Sequence, residues 1–233
     1  MKKALIFQGG WSGHEPEKVS KRFALILEKN GICTEIVDGV ESLNDRERLM
    51  EYDLIVPCVT MGTLPKECEG AISYAVAHGV GLAGCHGGMC DAFRESTEWQ
   101  FITGGQWVAH PGNDSVEYTV NISRVPCPIT EGISDFTVKT EQYYLHVDPA
   151  VEVLATTRVP VADGCHCTNK AVDMPVVWTK YWGQGRVFYN SLGHNEDVFD
   201  KYPSAELLME RGMLWASGGR EAMAQNKSHK SEK

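Results

Sequence analysis

The fold is decided by one stretch of the sequence, Gly81-Leu82-Ala83-Gly84-Cys85-His86-Gly87-Gly88-Met89-Cys90. Its first half is apolar, as in a short buried strand, and its second half is rich in glycine, which permits a sharp turn and close backbone packing. A helix is expected to begin directly afterwards, at Asp91-Ala92-Phe93. In such a strand–turn–helix elbow the residue at the tip projects from the edge of the sheet, where a ligand can reach it. The tip is either Cys85 or His86, and this choice decides the chemistry.

Apolar segments alternate with amphipathic ones on the amino-terminal side of this elbow. Strands are expected at residues 3–8, 33–37, 54–59 and 79–85, and helices at residues 16–30, 42–50 and 65–78. Strands separated by helices at this spacing form a parallel sheet with helices on both faces, and strands that are apolar throughout fit burial on both sides. The sequence therefore predicts an α/β fold of the flavodoxin-like type, with a mostly parallel central sheet.

The carboxyl-terminal half is less regular. It predicts strands at 116–123, 137–147 and 151–158, a hairpin of residues 174–180 and 186–192 around Gly183-Gln184-Gly185, and a closing helix at 205–216. Glycine between two apolar runs is typical of a hairpin turn. No linker divides residues 1–219, which are expected to form one domain, and the polar residues 220–233 are expected to be a disordered tail.

Composition and charge narrow the class of partner. The net charge of −9 argues against nucleic acid or an anionic membrane as the main partner. No apolar run approaches the ~18 residues of a membrane span, and the apolar run at the amino terminus is too short for a signal peptide. We therefore expect a cytoplasmic protein whose eight cysteines are reduced thiols.

Polar side chains follow four of the predicted strands. His14 follows the first strand, Thr60 the third, Cys85 or His86 the fourth, and His194 the hairpin. Ligands of open parallel sheets bind outside the carboxyl ends of the strands. We therefore expect these four loops, which are distant in sequence, to meet at one rim of the sheet.

Five histidines and one carboxylate are candidates for catalysis or for holding a metal. The histidines are residues 14, 86, 110, 146 and 194, and the carboxylate is Glu141. Imidazoles and a carboxylate can bind Zn²⁺, Mn²⁺ or Fe²⁺, or act as acid and base. His86 and His194 are the preferred metal ligands, followed by His14 and His110, whereas strand alternation places His146 and Glu141 on opposite faces. A set of hydrogen-bonded structural histidines without a metal is the alternative.

Three other motifs suggest different chemistry. Gln8-Gly9-Gly10-Trp11-Ser12-Gly13, with Asp38 ending the next strand, is close to a dinucleotide fingerprint, but Gln8 replaces its first glycine, so no nucleotide cofactor is expected. Cys165-His166-Cys167 is a weak candidate for a soft metal. A Cys85 nucleophile in the elbow remains open at this point.

Four blocks of the chain resemble the ThuA-like (trehalose utilisation) family, whose fold is similar to that of class I glutamine amidotransferases. The resemblance covers roughly residues 2–218. The blocks are Gly84-Cys85-His86-Gly87-Gly88, Gly104-Gly105-Gln106-Trp107-Val108-Ala109-His110-Pro111, Pro128-Ile129-Thr130-Glu131-Gly132-Ile133 followed by Glu141-Gln142-Tyr143-Tyr144, and Pro175-Val176-Val177-Trp178 with Gly185-Arg186-Val187-Phe188-Tyr189-Asn190-Ser191-Leu192-Gly193-His194.

The resemblance implies a three-layer sandwich in which a histidine stands where amidotransferases have their cysteine nucleophile. The amidotransferase elbow reads Gly-x-Cys-x-Gly, and Gly84 and Gly88 occupy its glycine positions, so His86 stands at the nucleophile position and Cys85 is expected to be buried. Imidazole is a poor nucleophile for amide hydrolysis but a good base or metal ligand. Glutaminase activity is therefore not expected.

The family's link to sugar catabolism implies an enzyme acting on 3-keto-glycosides or related oxidised sugars, as a lyase, hydratase or hydrolase, through an enolate that a metal stabilises. A non-catalytic sugar-binding or regulatory protein is the alternative. His86, His110, His194 and Glu141 are the expected catalytic residues. Among tryptophans 11, 107, 178 and 182, the first two are preferred as stacking faces for a sugar. The expected sugar-binding residues are Trp11, His14, Thr60, Trp107, Tyr144 and Asn195. A homo-oligomer is compatible with the sequence.

Overall fold

The computed structural model describes residues 1–222, which contain seven α-helices and eleven strands. The amino-terminal elements alternate strand and helix: β1 (Lys3–Gly10), α1 (Pro16–Lys29), β2 (Cys33–Asp38), α2 (Arg46–Leu49), β3 (Leu54–Thr60), α3 (Lys66–Ala77) and β4 (Gly81–Cys85). The remaining elements are α4 (His86–Cys90), α5 (Thr97–Thr103), β5 (Gly105–Ala109), β6 (Glu117–Ile122), β7 (Phe136–Lys139), β8 (Tyr144–Val147), β9 (Glu152–Val159), β10 (Val172–Trp182), β11 (Gly185–Asn190), α6 (Asp197–Lys201) and α7 (Pro203–Ser217).

The central sheet has nine strands in the order β2-β1-β3-β4-β11-β10-β9-β6-β7. The first five strands are parallel to one another, and their order is that of flavodoxin-like sheets. The α/β class with a parallel centre is thus confirmed. The last four strands extend the sheet in antiparallel fashion, because a short hairpin can join β10 to β11 only in that orientation. Strands β5 and β8 form a separate antiparallel pair.

Two apolar cores cover the two faces of the sheet. The side chains of β1 alternate between them: Ala4 and Ile6 pack with α1 and α7 on one face, and Leu5 and Phe7 pack with α3 and α5 on the other. Both faces of β1 are therefore buried, which explains its continuous apolar sequence. The result is the predicted three-layer sandwich. No helix within residues 1–222 has the length and apolar character needed to cross a membrane.

Three sequence predictions are wrong in this structure. The helix expected at Asp91 lies earlier, since α4 begins at His86 itself and Asp91 is its C-terminal cap. The strand expected over 137–147 is two strands that belong to different sheets, β7 and β8. The disordered tail was expected from residue 220, but Arg220 is helical and donates a hydrogen bond to the Met50 carbonyl at 2.9 Å. The rest of that prediction, over 223–233, lies outside the described residues.

Candidate active site

His86 stands at the tip of the elbow between β4 and α4. It has a φ of +46°, a left-handed conformation that is costly for a residue with a side chain. Close packing enforces the turn: a Cβ on Gly84 would lie 2.9 Å from the Met89 Cβ, and one on Gly88 would lie 3.2 Å from the Cys58 Cα. The glycines of the elbow therefore let α4 approach the sheet and lift His86 to its edge.

Cys85 lies one residue before the tip and is 4% exposed. Burial raises the pKa of its thiol well above the usual value. A thiolate is the reactive form of cysteine, and this environment disfavours it. The position fits a buried apolar residue, as the resemblance implies, rather than a nucleophile.

The imidazole of His86 is fixed by two partners. Its Nδ1 donates to the Ser191 carbonyl at 2.7 Å, just after β11, and its Nε2 lies 3.0 Å from Glu141 Oε2. Because a carbonyl oxygen can only accept, the Nδ1 carries a proton. In a neutral ring the Nε2 then presents a lone pair to the Glu141 carboxylate.

The pKa shifts favour this neutral ring beside an ionised carboxylate. Burial lowers the pKa of His86, and the nearby Glu141 only partly offsets it. Burial alone would raise the pKa of Glu141, but the nearby rings of His194 and His86 outweigh it and hold the pKa well below its usual value. Two lone pairs 3.0 Å apart in a buried site repel unless a cation lies between them. The pair therefore requires a shared proton or a metal ion.

Two further histidines surround the same point. His14, in the turn after β1, places its Nδ1 2.8 Å from Thr60 Oγ1, and burial followed by the charges of His86 and His194 lowers its pKa to about 3. His194 Nδ1 lies 3.3 Å from Glu141 Oε2, yet it is buried and makes no hydrogen bond of suitable geometry within residues 1–222. The three rings are nearly perpendicular, with centroid separations of 4.8, 5.1 and 5.5 Å.

Four of these residues could together hold a metal ion. One donor atom from each of His14, His86, Glu141 and His194 lies within 4.8 Å of the others. Ligands lie about 2.0–2.2 Å from a tetrahedral Zn²⁺, so donors around one ion are about 3.3–3.6 Å apart, and a closing movement of about 1 Å would satisfy that geometry. Partners on the far nitrogen orient metal-binding histidines, and the Ser191 carbonyl and the Thr60 hydroxyl occupy that position here.

The other predicted site residues lie at different distances from this cluster. His110 is at its edge, with a buried, unpartnered Nδ1 that is 3.8 Å from Glu141 Oε1. Trp11 packs edge-on against His14, at a centroid separation of 4.8 Å, and is 47% exposed. Asn195 follows His194 and has a buried Oδ1 that finds no partner within the described chain.

Other candidates serve a structural role or lie outside the cluster. Trp107 lies beside His110, at a centroid separation of 5.4 Å. Tyr144 begins β8, and His146, further along that strand, is exposed and is not among the residues whose donor atoms converge. Trp178 is fully buried and donates to the Thr103 carbonyl, which identifies it as a core residue.

The sequence analysis missed Tyr143. Its ring stacks on His86 with a centroid separation of 3.9 Å and an interplanar angle of 27°, and it is 3% exposed. Burial raises its pKa well above the usual value, so the phenol stays protonated. A period of two along an extended segment places residues 141 and 143 on one side, and this signal favours Tyr143 over Tyr144 as the neighbour of Glu141.

The fold and the site together define a class: an α/β sandwich of flavodoxin-like strand order with a histidine, rather than a nucleophile, at its elbow. The family model for ThuA, described as trehalose utilisation, matches residues 3–216. The chain belongs to the ThuA family, as its sequence blocks predict. No protein with a curated description matches it.

Solved structures of similar fold include two ThuA-like proteins. One, from Bacteroides uniformis, has a TM-score of 0.74 at 21% identity and covers 92% of this chain and 91% of its own. Another, from Parabacteroides merdae, has a TM-score of 0.73 at 19% identity and covers 94% of this chain and 90% of its own. A cytoplasmic protein from Salmonella typhimurium LT2 has a TM-score of 0.63 at 13% identity and covers 94% of this chain and 98% of its own. At these identities the likeness establishes the fold.

Proposed function

We propose that the protein is a metal-assisted enzyme that acts on 3-keto-glycosides or related oxidised sugars, as a lyase, hydratase or hydrolase. The observation that carries the proposal is the convergence of His14, His86, His194 and Glu141, whose donor atoms face one another in a buried site. The lowered pKa values of His14, His86 and Glu141 leave two neutral imidazoles and an ionised carboxylate, which is the protonation state that Zn²⁺, Mn²⁺ or Fe²⁺ requires of its ligands.

Such a site suits the cleavage of a glycosidic bond in a 3-keto-sugar. A ketone at C3 acidifies the hydrogen on C2, and when a base removes this proton the C2–H electrons form an enolate. The enolate electrons then form a C1–C2 double bond as the C1–oxygen bond breaks, and the departing oxygen keeps the bond electrons and takes up a proton. Addition of water across the double bond completes a net hydrolysis. A bound divalent metal would supply a Lewis acid for the oxygen on which charge develops.

His110 is the best-placed base. Its Nδ1 is buried and lies 3.8 Å from Glu141 Oε1, and its side chain is 31% exposed, so a substrate can reach the exposed part of the ring. A neutral imidazole is a competent base near neutral pH, and the Glu141 carboxylate would stabilise the imidazolium that forms. Unlike most glycosidases, this chemistry needs no pair of carboxylates flanking the glycosidic bond.

We also propose a cytoplasmic location and a small-molecule sugar as the partner. The support is the presence of eight cysteines that form no disulfide within residues 1–222, together with the net charge of −9.

The proposal is tested by substrate depletion. The protein is incubated with 3-keto-trehalose and with 3-keto-glucosides, with and without added divalent metal, and the released reducing sugar and the enone absorbance are followed. We expect metal-dependent turnover that His110→Asn and His86→Asn abolish. His78→Asn is the matched control, because His78 caps α3 away from the cluster, and it should retain activity. Binding of these sugars without turnover, for every metal tried, would instead identify a non-catalytic sugar-binding or regulatory protein.

A further inference from the structure

Arg94 lies in a turn that the sequence had predicted to be helix. Its Nε and Nη2 donate to the two carboxylate oxygens of Asp91, at 2.5 and 3.0 Å. The Asp91 side chain is 5% exposed and the Arg94 side chain is 39% exposed, so a buried carboxylate holds a guanidinium whose outer edge reaches solvent. The Nη1 of Arg94 makes no hydrogen bond to any residue among 1–222.

The guanidinium is oriented on a second side by an indole. The guanidinium carbon (Cζ) of Arg94 lies 4.5 Å from the centre of the Trp107 ring. Bidentate pairing fixes the plane of the guanidinium, and stacking on the indole covers one of its faces. The N–H groups that remain free therefore project from one edge in a fixed direction.

Two routes connect this guanidinium to the active site. On one side, the Trp107 ring is 5.4 Å from the His110 ring, and His110 Nδ1 is 3.8 Å from Glu141. On the other side, Met61 N donates to the Asp91 carbonyl at 2.8 Å, and Met61 follows Thr60, the partner of His14.

The backbone of this turn is strained and held in place. Met61 and Phe93 both have positive φ values, +62° and +51°, and Phe93 N donates to the Met61 carbonyl at 3.0 Å. Such strain costs of order 1–3 kcal/mol per residue and persists where the surrounding structure fixes it. A surface ion pair needs no such support, so the turn is built to hold Arg94 at one position.

We propose that the Arg94–Asp91 pair, backed by Trp107, is a subsite that binds two neighbouring hydroxyl groups of a neutral sugar. This inference rests on the proposed function, whose substrate class it narrows. Two parallel N–H groups match two adjacent hydroxyl oxygens as well as they match a carboxylate. The Asp91 carboxylate decides between these ligands, because it already neutralises the guanidinium and would repel a second carboxylate or a phosphate. The subsite therefore favours neutral glycosides over sugar acids and sugar phosphates.

The first test measures binding by calorimetry, with wild type, Arg94→Gln and Arg94→Lys, against a neutral 3-keto-glucoside and the matching 3-keto-glucuronide. We expect both variants to bind the neutral sugar about 10- to 100-fold more weakly, the loss of one or two charged hydrogen bonds. Arg94→Lys should not restore binding of the neutral sugar, because the lysine ammonium lacks the planar pair of parallel N–H groups. Turnover by the variants should show a raised KM with little change in kcat. Arg158→Gln is the matched control, since Arg158 forms an exposed pair with Asp173 at 3.0 Å, and it should bind like wild type.

Asp91→Asn gives a second, opposite prediction. Removal of the carboxylate leaves the guanidinium charge uncompensated, so the preference should shift from the neutral sugar towards the glucuronide. Three results would overturn the inference. The first is unchanged binding of the neutral sugar by both Arg94 variants, and the second is tighter binding of the glucuronide than of the neutral sugar by wild type. The third is the absence of binding of either sugar by wild type. Arg94-dependent binding without turnover supports this subsite and counts against the proposed enzyme activity. Normal turnover by Arg94→Gln supports the proposed enzyme activity and counts against this subsite.

Discussion

His86 carries three features that belong together at the scale of one residue. Its positive φ lifts it to the edge of the sheet, Ser191 fixes the proton on Nδ1, and Glu141 faces the lone pair of Nε2. A tip residue with none of these partners would be free to rotate. The combination fixes the position and the orientation of the His86 imidazole.

Cys85 gives a prediction about reactivity. We expect a maleimide to label the exposed Cys33 and Cys165 rapidly in the native protein and to spare Cys85, which is buried and whose pKa is raised. Mass spectrometry of tryptic peptides locates the label, and labelling in denaturant should reach Cys85 as well. Rapid modification of Cys85 in the native protein with loss of activity would restore the cysteine-nucleophile hypothesis.

His14 gives a prediction about pH. Burial lowers its pKa from 6.5 to about 3, so below pH 6.5 the unfolded chain takes up a proton that the folded protein does not. The free energy of unfolding of the metal-free protein should therefore fall as pH decreases from 6.5 towards 3, by up to about 1.4 kcal/mol per pH unit for this group. His86 acts in the same direction, and Glu141 adds to the loss below 4.5, the usual pKa of a glutamate side chain.

The measurement is urea denaturation between pH 7 and pH 4.5 after treatment with chelator. His14→Gln should show a shallower decline than wild type, because glutamine has no proton to take up. His78→Gln should decline like wild type, since His78 is not part of the cluster. An equally steep decline in His14→Gln would mean that His14 is already protonated in the folded protein.

The residues of the site differ in how well sequence reveals them. His14, His86 and His194 follow strands, so the rule for ligand sites of parallel sheets predicts their meeting. Asp91 and Arg94 carry no such signal, because they are three positions apart and this spacing is equally typical of a solvated helix face. Their role depends on the turn that replaces the predicted helix.

At the scale of elements, Arg22 joins helix α1 to the segment that carries His194. Its guanidinium binds the carboxylates of Glu196, Asp200 and Glu206, which lie just before α6, in α6 and in α7. The Arg22 side chain is 18% exposed, so these pairs are partly shielded from solvent. The contacts hold the loop after β11 against α1, and with it the position of His194.

Arg22→Ala should lower the free energy of unfolding by roughly 1–3 kcal/mol, because it leaves three carboxylates close together without a cation. It should also weaken metal binding, since Glu196 is two residues from His194. Lys21→Ala, on the exposed side of the same helix, is the control and should change the free energy of unfolding by less than about 0.5 kcal/mol. Denaturation and metal titration measure the two effects. If Arg22→Ala changes neither the free energy of unfolding nor the metal affinity, this cluster is a surface feature without consequence.

The break between β7 and β8 shows why element boundaries were only partly predictable. Residues 137–147 contain neither glycine nor proline, and their alternation resembles one strand. The structure interrupts it at 140–143, where Tyr118 Oη donates to the Glu141 carbonyl at 2.8 Å and the Glu141 side chain enters the cluster. This tertiary contact overrides the local alternation of the sequence, and strand propensity alone cannot predict it.

At the scale of the whole molecule, one crossover builds the site. The chain leaves β4 at the elbow, forms the antiparallel part of the sheet, and returns as β11 beside β4, with Asn190 opposite Cys85. This register places the loop of His194 next to His86 although 108 positions separate them in sequence. The strand pattern predicted the parallel half of the sheet, whereas nothing in a single sequence fixes that β11 inserts next to β4.

The most direct test of the account is the metal content of the protein purified without an affinity tag. We predict about one equivalent of a divalent transition metal, or stoichiometric binding after stripping with a chelator, and a large loss of affinity in His86→Asn and His194→Asn. His78→Asn should bind like wild type, and asparagine at position 86 tolerates the positive φ, so the fold should persist. Less than about 0.1 equivalent of any metal, with no binding on titration and no effect of chelator on activity, would contradict the metal centre and leave a proton shared between His86 and Glu141.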